Sequence, residues 1–180
     1  MRLLLIARYK ENFSMRYQDT DLVLYQKYTY EDVCRLLNWE TNEVPLNIGG
    51  YKYDKYTNTY PVFINYDKSE EVSASIRYED RFVDQSRLIA ISKSQRTIAS
   101  DDVDNAIHAE ERHILMPLFV RKNKDDKTSK EFYFLGTIKH NGHLQEFIMP
   151  DTDKSAVEIG YHLNTPVENN LYEYITERTI

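Results

Sequence analysis

The sequence predicts an α+β domain, mainly β, built on a small, strongly bent sheet or barrel with two or three short helices. Three observations lead there. Short apolar segments of strand length follow one another without the regular βα alternation of a parallel sheet. Only a few segments show helical spacing. The 180 residues include 15 tyrosines but one tryptophan, and tyrosine is an amphipathic ring that half-exposed strands accept well. A chain of this length buries well over half of its unfolded surface, so it folds as one domain without a disulfide or a metal.

The elements follow in order. Residues 1–21 show weak periodicity and read as an N-terminal extension, suited to the tail of a preceding domain. Leu3 to Ile6 and Leu22 to Tyr25 read as short strands. Thr29 can cap a helix that Glu31 and Asp32 support by complementing its positive end, and Val33, Leu36, Leu37 and Trp39 give it one apolar face. From Ile48 the period becomes two. Tyr51 to Tyr66 reads as a hairpin turning near Tyr56 to Asn58, with Pro61 placing its strand at an edge or a bulge. Ser75 to Gln85 is charged and alternates poorly. Arg87 to Ile91 is a strand, and Asp101 to Glu111 a short helix capped by Ser100. Ile114 to Val120 and Glu131 to Ile138 are strands, the second with a bulge at Gly136. His140 to His143 is a turn. Leu144 to Met149 and Ala156 to Leu163 are strands, and Val167 to Thr176 closes the chain as a helix. There is no internal repeat and no low-complexity segment.

Composition excludes several classes. One cysteine, Cys34, permits no internal disulfide and no multi-cysteine zinc site, and it lies on the apolar face of the first helix as a small hydrophobe. The apolar run from Leu3 to Ala7 is shorter than the about 7–15 residues of a signal-peptide core. No stretch approaches the roughly 20 residues of a membrane span. A cytoplasmic protein without membrane contact is expected. The net charge of −6 argues against non-specific coating of nucleic acid. Yet the charge is uneven. Arg87 to Arg96 holds three basic residues and no acid, whereas Asn141 onward holds seven acids against Lys154 and Arg178. Local potential, not net charge, steers a polyanion.

Most catalytic chemistry is missing its residues. Gly49-Gly50 precedes a strand and opens no phosphate-binding helix, so a tight turn or bulge explains it. His140-Asn141-Gly142-His143 lacks further ligands for a metal. No nucleophile elbow is present. Glu79, Asp80 and Lys93 invite a metal-dependent nuclease reading, but Ile91-Ser92-Lys93 replaces the expected acid-x-lysine, and serine is a poor Mg²⁺ ligand. No catalytic residue, metal or cofactor is expected, and no enzyme from this chain alone.

Ile76-Arg77-Tyr78-Glu79-Asp80-Arg81-Phe82 concentrates arginines, acids and aromatics. It reads either as a salt-bridged face over a core phenylalanine or as part of a pocket for a planar base. Such a pocket needs an aromatic face, as Tyr78 offers, and a carboxylate for an exocyclic amine, as Glu79 or Asp80 offers. Downstream, Ser92-Lys93-Ser94-Gln95-Arg96-Thr97 clusters hydroxyls and cations at a strand end, which suits phosphate oxygens.

Leu37-Asn38-Trp39, Asn47-Ile48-Gly49-Gly50-Tyr51, Tyr78 to Phe82, Ser92 to Thr97, Leu118 to Lys122 and Phe132 to Gly136 fall in the order of an uncharacterised domain. Over residues 22–176 the chain resembles the C-terminal module of bacterial proteins that join a phospholipase-D-type nuclease to a superfamily 2 helicase. Those proteins resemble SauUSI-like, modification-dependent (type IV) restriction enzymes. The resemblance implies an SRA- or PUA-like domain over residues 22–180 that recognises double-stranded DNA carrying 5-methylcytosine or 5-hydroxymethylcytosine by base flipping. It implies fused or associated helicase and nuclease domains as partners; their Walker and His-x-Lys motifs are not in this sequence. It also implies site roles: Tyr53, Tyr78, Glu79 and Asp80 around the base, and Arg81, Ser92, Lys93, Ser94, Arg96, Arg121 and Lys122 on phosphates. The family pattern carries an aromatic near Ala90 or Ile91, and here that strand is aliphatic. Two other readings remain: a protein-docking module using the acidic, tyrosine-rich C-terminal part, and the metal-dependent nuclease.

Overall fold

The structure is a computed structural model that describes residues 22–40, 50–66, 79–122, 130–150 and 152–177. Among them are seven strands and three helices. In chain order these are β1 (Lys27–Tyr28), α1 (Tyr30–Leu36), β2 (Val62–Asn65), β3 (Arg81–Asp84), β4 (Arg87–Ile91), α2 (Asp101–Ile107), β5 (Pro117–Arg121), β6 (Phe132–Ile148), β7 (Ser155–Leu163) and α3 (Asn169–Thr176). The sheet order is β2-β5-β6-β7-β4-β3, with β1 added alongside β6. Every pairing is antiparallel except β2 with β5.

β6 is the spine of the molecule. Its first residues pair with β1 and β5, and from Ile138 onward it pairs with β7. One strand therefore belongs to both halves of the sheet, and the sheet curls into a half-barrel. The register shifts between His140 and Leu144, where Gly142 has φ +96°. This corrects the turn expected at His140 to His143. Glycine takes the left-handed conformation without strain, so the segment is absorbed as a bulge and the strand continues through it. Polar residues around a glycine look the same in sequence whether they end a strand or bend it.

Other boundaries move for similar reasons. Leu22 to Tyr25 is a turn, not a strand: Gln26 N–H closes onto Val23 O (3.1 Å), and Tyr25 has φ +67°. The charged run before Gln85 contains β3, which pairs with β4 around a two-residue connection at Gln85 and Ser86. Pro117 opens β5, the position at which a strand tolerates a missing N–H. β2 lies at the sheet edge just after Pro61. Leu3 to Ile6, read as a strand, lies outside the described residues.

The helices are capped unequally. Thr29 and Asp32 form a reciprocal capping box at α1, with Asp32 N–H donating to Thr29 Oγ1 (3.1 Å) and Thr29 N–H to Asp32 Oδ2 (3.0 Å). Ser100 precedes α2 but makes no side-chain bond to it; its hydroxyl instead accepts from Thr97 N–H (3.0 Å).

Alternation along the strands separates two apolar clusters, one on each side of the sheet. Val62, Ile64, Leu118, Val120, Leu135, Ile138, Val157 and Ile159 face the inside of the curl, beneath Val103 and Ala106 of α2 and Leu171 and Ile175 of α3. Phe63, Phe119, Phe132 and Phe134 face the other way and are covered by α1 through Val33 and Cys34, with Leu37 and Trp39 beyond it. In that outer cluster Phe63 stacks on Phe119 (4.9 Å between centroids), and each buried ring contributes about 1.5–3 kcal/mol. No helix among the described residues is long and apolar enough to cross a membrane.

Candidate nucleic-acid interface

The hairpin before β2, the segment after β4 and the start of α2 meet around an open groove of about 580 Å³. Tyr51, Lys52 and Tyr53 come from the first, Lys93 and Arg96 from the second, and Asp101, Asp102 and Asn105 from the third. The hairpin is shaped by short bonds. Asp54 pairs with Thr59, the Asp54 carboxylate accepts from Thr57 N–H (2.8 Å), and Asn58 sits at φ +55° in the turn. Gly50, at φ +92°, brings the chain into it; Gly49, the other member of the glycine pair, lies outside the described residues.

One hydrogen-bond network fixes the groove. Tyr51 OH donates to Asp102 Oδ2 (3.1 Å) and accepts from Lys93 N–H (2.8 Å). Arg96 Nε donates to the same carboxylate oxygen (2.7 Å), and Tyr60 OH donates to Asp102 O (3.0 Å). Lys93 Nζ donates to Tyr51 O (3.0 Å) and stands 4.7 Å from the Tyr51 ring centre. Burial pushes the Tyr51 and Tyr60 hydroxyls well above the ordinary phenol range, so both stay protonated and donate. Burial also lowers Lys93, with Asp102 opposing the shift. The wall is therefore cationic over aromatic rings, with Asp102 neutralising part of Arg96.

Tyr51 also lines a smaller cavity, about 20 Å³, with Tyr60, Val62, Ala90, Ile91, Ser92, Val103, Ile159 and Tyr161. That is room for about one water. Asp80 stands beside it: Ile91 N–H donates to Asp80 Oδ1 (2.7 Å), and the Asp80 charge adds to burial in raising buried Tyr161.

The residues singled out in the sequence part company here. Lys93, Arg96 and Tyr53 line the groove, and exposed Ser94 lies between the first two in the chain. Tyr53 OH donates to Asn58 Oδ1 (2.9 Å) and its ring packs on Tyr60. Asp80 borders the smaller cavity. Glu79 precedes β3, and its carbonyl accepts a long bond from Arg81 (3.4 Å). Tyr78 lies outside the described residues. Arg81 is engaged elsewhere, with NH1 donating to buried Glu158 Oε1 (3.0 Å), whose other oxygen lies 3.1 Å from His143 Nε2. Ser92 is buried; its hydroxyl donates to Lys93 O and accepts from Val157 N–H (2.8 Å), which leaves no face for a phosphate. Arg121 projects with Phe119 to the outer side of the sheet and covers Phe132 (4.5 Å). Lys122 sits over Tyr174 (5.0 Å). Neither lines the groove.

Lys52, Asp102 and Asn105 were not anticipated. Asp102 had one usable signal, a first-turn acid six residues after Arg96. Of the nuclease candidates, Lys93 Nζ donates to Tyr51 O, and the described residues contain no group of three or more metal-ligating side chains.

Residues 22–175 match the model of a family described as a domain of unknown function, DUF3427. The chain belongs to the DUF3427 family. No curated protein matches it. Solved structures share the fold of this DUF3427 domain. The SUVH5 SRA domain in complex with fully methylated CG DNA superposes with a TM-score of 0.53 at 9% identity, covering 86% of this chain and 98% of that one. The same domain bound to fully hydroxymethylated CG DNA gives 0.52 at 10%, again covering 86% and 98%. KRYPTONITE in complex with mCHG DNA and SAH gives 0.52 at 9%, covering 82% of this chain. The chain spans 33% of the KRYPTONITE chain. The mainly β, strongly bent sheet with short helices is thus an SRA-like fold.

Proposed function

We propose that this DUF3427 domain reads a modified cytosine, 5-methylcytosine or 5-hydroxymethylcytosine, in double-stranded DNA and catalyses no reaction itself. The observation that carries the reading is the groove: cations and tyrosine faces on one wall, acid and amide on the other, beside an aromatic cavity. Its setting supports the reading, because the same fold occurs in SRA domains crystallised with methylated and hydroxymethylated DNA. Lys93, Ser94 and Arg96 hold phosphates. The target base leaves the stack, at a cost of a few kcal/mol, and lies against Tyr53 and Tyr51. The smaller cavity does not admit a cytosine ring while Tyr51 stays bonded to Asp102. Deep entry therefore requires Tyr51 to swing, which brings the base beside Asp80 and an aliphatic wall at Ala90 and Ile91. One methyl against such a wall is worth about 1–3 kcal/mol. The proposal extends to a place for this module in a modification-dependent restriction system with helicase and nuclease partners, supported by the family resemblance alone.

Fluorescence anisotropy tests the reading with duplexes identical except for cytosine, 5-methylcytosine or 5-hydroxymethylcytosine, at two salt concentrations. Tighter binding to a modified duplex at both salts is expected. Lys93→Ala should weaken binding to every duplex alike and lower the salt slope by about 1. Equal binding to all three duplexes removes the modified-base role, and no binding at either salt leaves the protein-docking reading. A fluorescent base analogue beside the target reports flipping as a rise in emission; a flat signal on a bound duplex would rule out extrusion.

A further inference from the structure

Arg121 and Lys122 lie apart from the groove, and Lys122 belongs to a second constellation. Lys27 of β1 lies over the Tyr133 ring of β6 (4.9 Å). Tyr133 meets Tyr174 of α3 edge to face (6.3 Å), and Lys122, just after β5, lies over Tyr174 (5.0 Å). The register explains the grouping. Lys27 is opposite Tyr133, Tyr133 is opposite Val120, and Lys122 is two residues further along on the side of Val120. The four side chains thus share one side of the sheet end and alternate as lysine, tyrosine, tyrosine, lysine. Arg121 points to the opposite side.

A cation over a ring occurs elsewhere, as at Lys55 over Tyr56 (5.2 Å); this strip joins two such pairs through a contact between their rings. Arg35, Arg81, Arg87, Arg96, Arg112 and Lys139 each face a carboxylate within ion-pair distance. Lys27 and Lys122 have no such partner among the described residues; each has a tyrosine face instead. Tyr174 is 48% exposed, and Lys27 is exposed as well. An acidic partner protein would supply charge for the lysines but nothing for the rings. A polymer with an anionic backbone and planar side groups supplies both. Lysines tracking a backbone beside aromatic faces that take bases are the elements of a single-strand site.

We propose that the Lys27–Tyr133–Tyr174–Lys122 strip binds single-stranded nucleic acid, separately from the groove and independently of whether the groove reads a modified base. Tyr174 stacks a base, Lys27 and Lys122 hold flanking phosphates, and Tyr133 sets the spacing between them.

The test titrates the whole chain with a short labelled oligothymidine at low salt. Tyr174→Ala should weaken binding on the order of tenfold, and Tyr174→Phe, which keeps the ring, should restore it. Lys27→Ala with Lys122→Ala should lower the slope of log affinity against log salt by about 1.4. Unchanged melting temperatures show that these surface variants fold. Lys93→Ala should leave oligothymidine binding intact, and equal binding of the wild type to modified and unmodified duplexes, with single-strand binding intact, condemns the groove reading and not this one. The proposal is overturned by an absence of oligothymidine binding at low salt, by full binding in Tyr174→Ala, or by polyglutamate displacing the strand from the wild type and Tyr174→Ala equally well.

Discussion

At the scale of single residues, Tyr51 shows how the candidate site is held. Its hydroxyl is used twice, toward Asp102 and from Lys93 N–H, and it lines both groove and cavity. Glu158 shows a different economy. Burial alone would raise its carboxyl, but the bonds from Arg81 and His143 together outweigh burial and hold it below the usual carboxylate range. A carboxylate whose folded value is lowered contributes stability above its unfolded value, and that contribution is lost as pH falls through the folded value. Glu158→Gln should therefore be less stable than wild type at neutral pH by about 1–3 kcal/mol, with the gap closing below about pH 4 in urea titrations at a series of pH values. A gap that stays constant on acidification would show that Glu158 acts through shape alone. Legibility at this scale was uneven. Lys93 and Arg96 announced themselves as cations at a strand end. Asp102 did not, because an acid in the first turn of a helix already has an explanation in the helix dipole. Tyr60 and Tyr161 were lost among chemically identical tyrosines, since only tertiary packing tells a wall from a surface. Lys122 and Arg121 are neighbours in sequence but belong to opposite sides of the sheet.

At the scale of elements, β6 was the instructive error. Its two apolar stretches were legible, and the break between them looked like a turn. The bulge is accommodated by the neighbouring strand. Gly160 of β7 lies under the displaced segment, and a Cβ there would stand 2.6 Å from His143 Cβ and closer still to Asn141 Oδ1. Gly160→Ala should destabilise the protein by about 1–3 kcal/mol through overpacking, while Gly142→Ala meets no neighbour and is limited to the strain of its positive φ. Thermal melts should place Gly160→Ala about 2–12 °C below wild type, and an unchanged melt would mean that the bulge moves freely. The capping box of α1 was readable because its signals are local. β3 was not, because Arg81–Asp84 exposes one residue and half-buries the rest, leaving no clean alternation.

At the scale of the whole molecule, the class of fold was legible from segment lengths and the absence of βα alternation. The curl was not, because it comes from one strand shared by the two halves of the sheet. That sharing has a thermodynamic consequence. Phe132 and Phe134 of β6 belong to the outer cluster, and Leu135 and Ile138 to the inner one, so neither core opens without the other. Unfolding followed by far-ultraviolet and by near-ultraviolet circular dichroism should give coincident transitions, and two separated midpoints would refute this coupling. The outer cluster also holds the chain's single tryptophan. Trp39 Nε1 donates to Thr59 Oγ1 (2.8 Å), at the foot of the hairpin that carries Tyr51 and Tyr53, and Lys52 Nζ of the groove wall lies 6.0 Å from the indole. The indole therefore sits in the electric field of a side chain that lines the groove. A groove ligand that displaces Lys52 should therefore shift the colour of its emission, an internal optical gauge that needs no attached dye, and a titration that leaves the spectrum unchanged would refute this coupling.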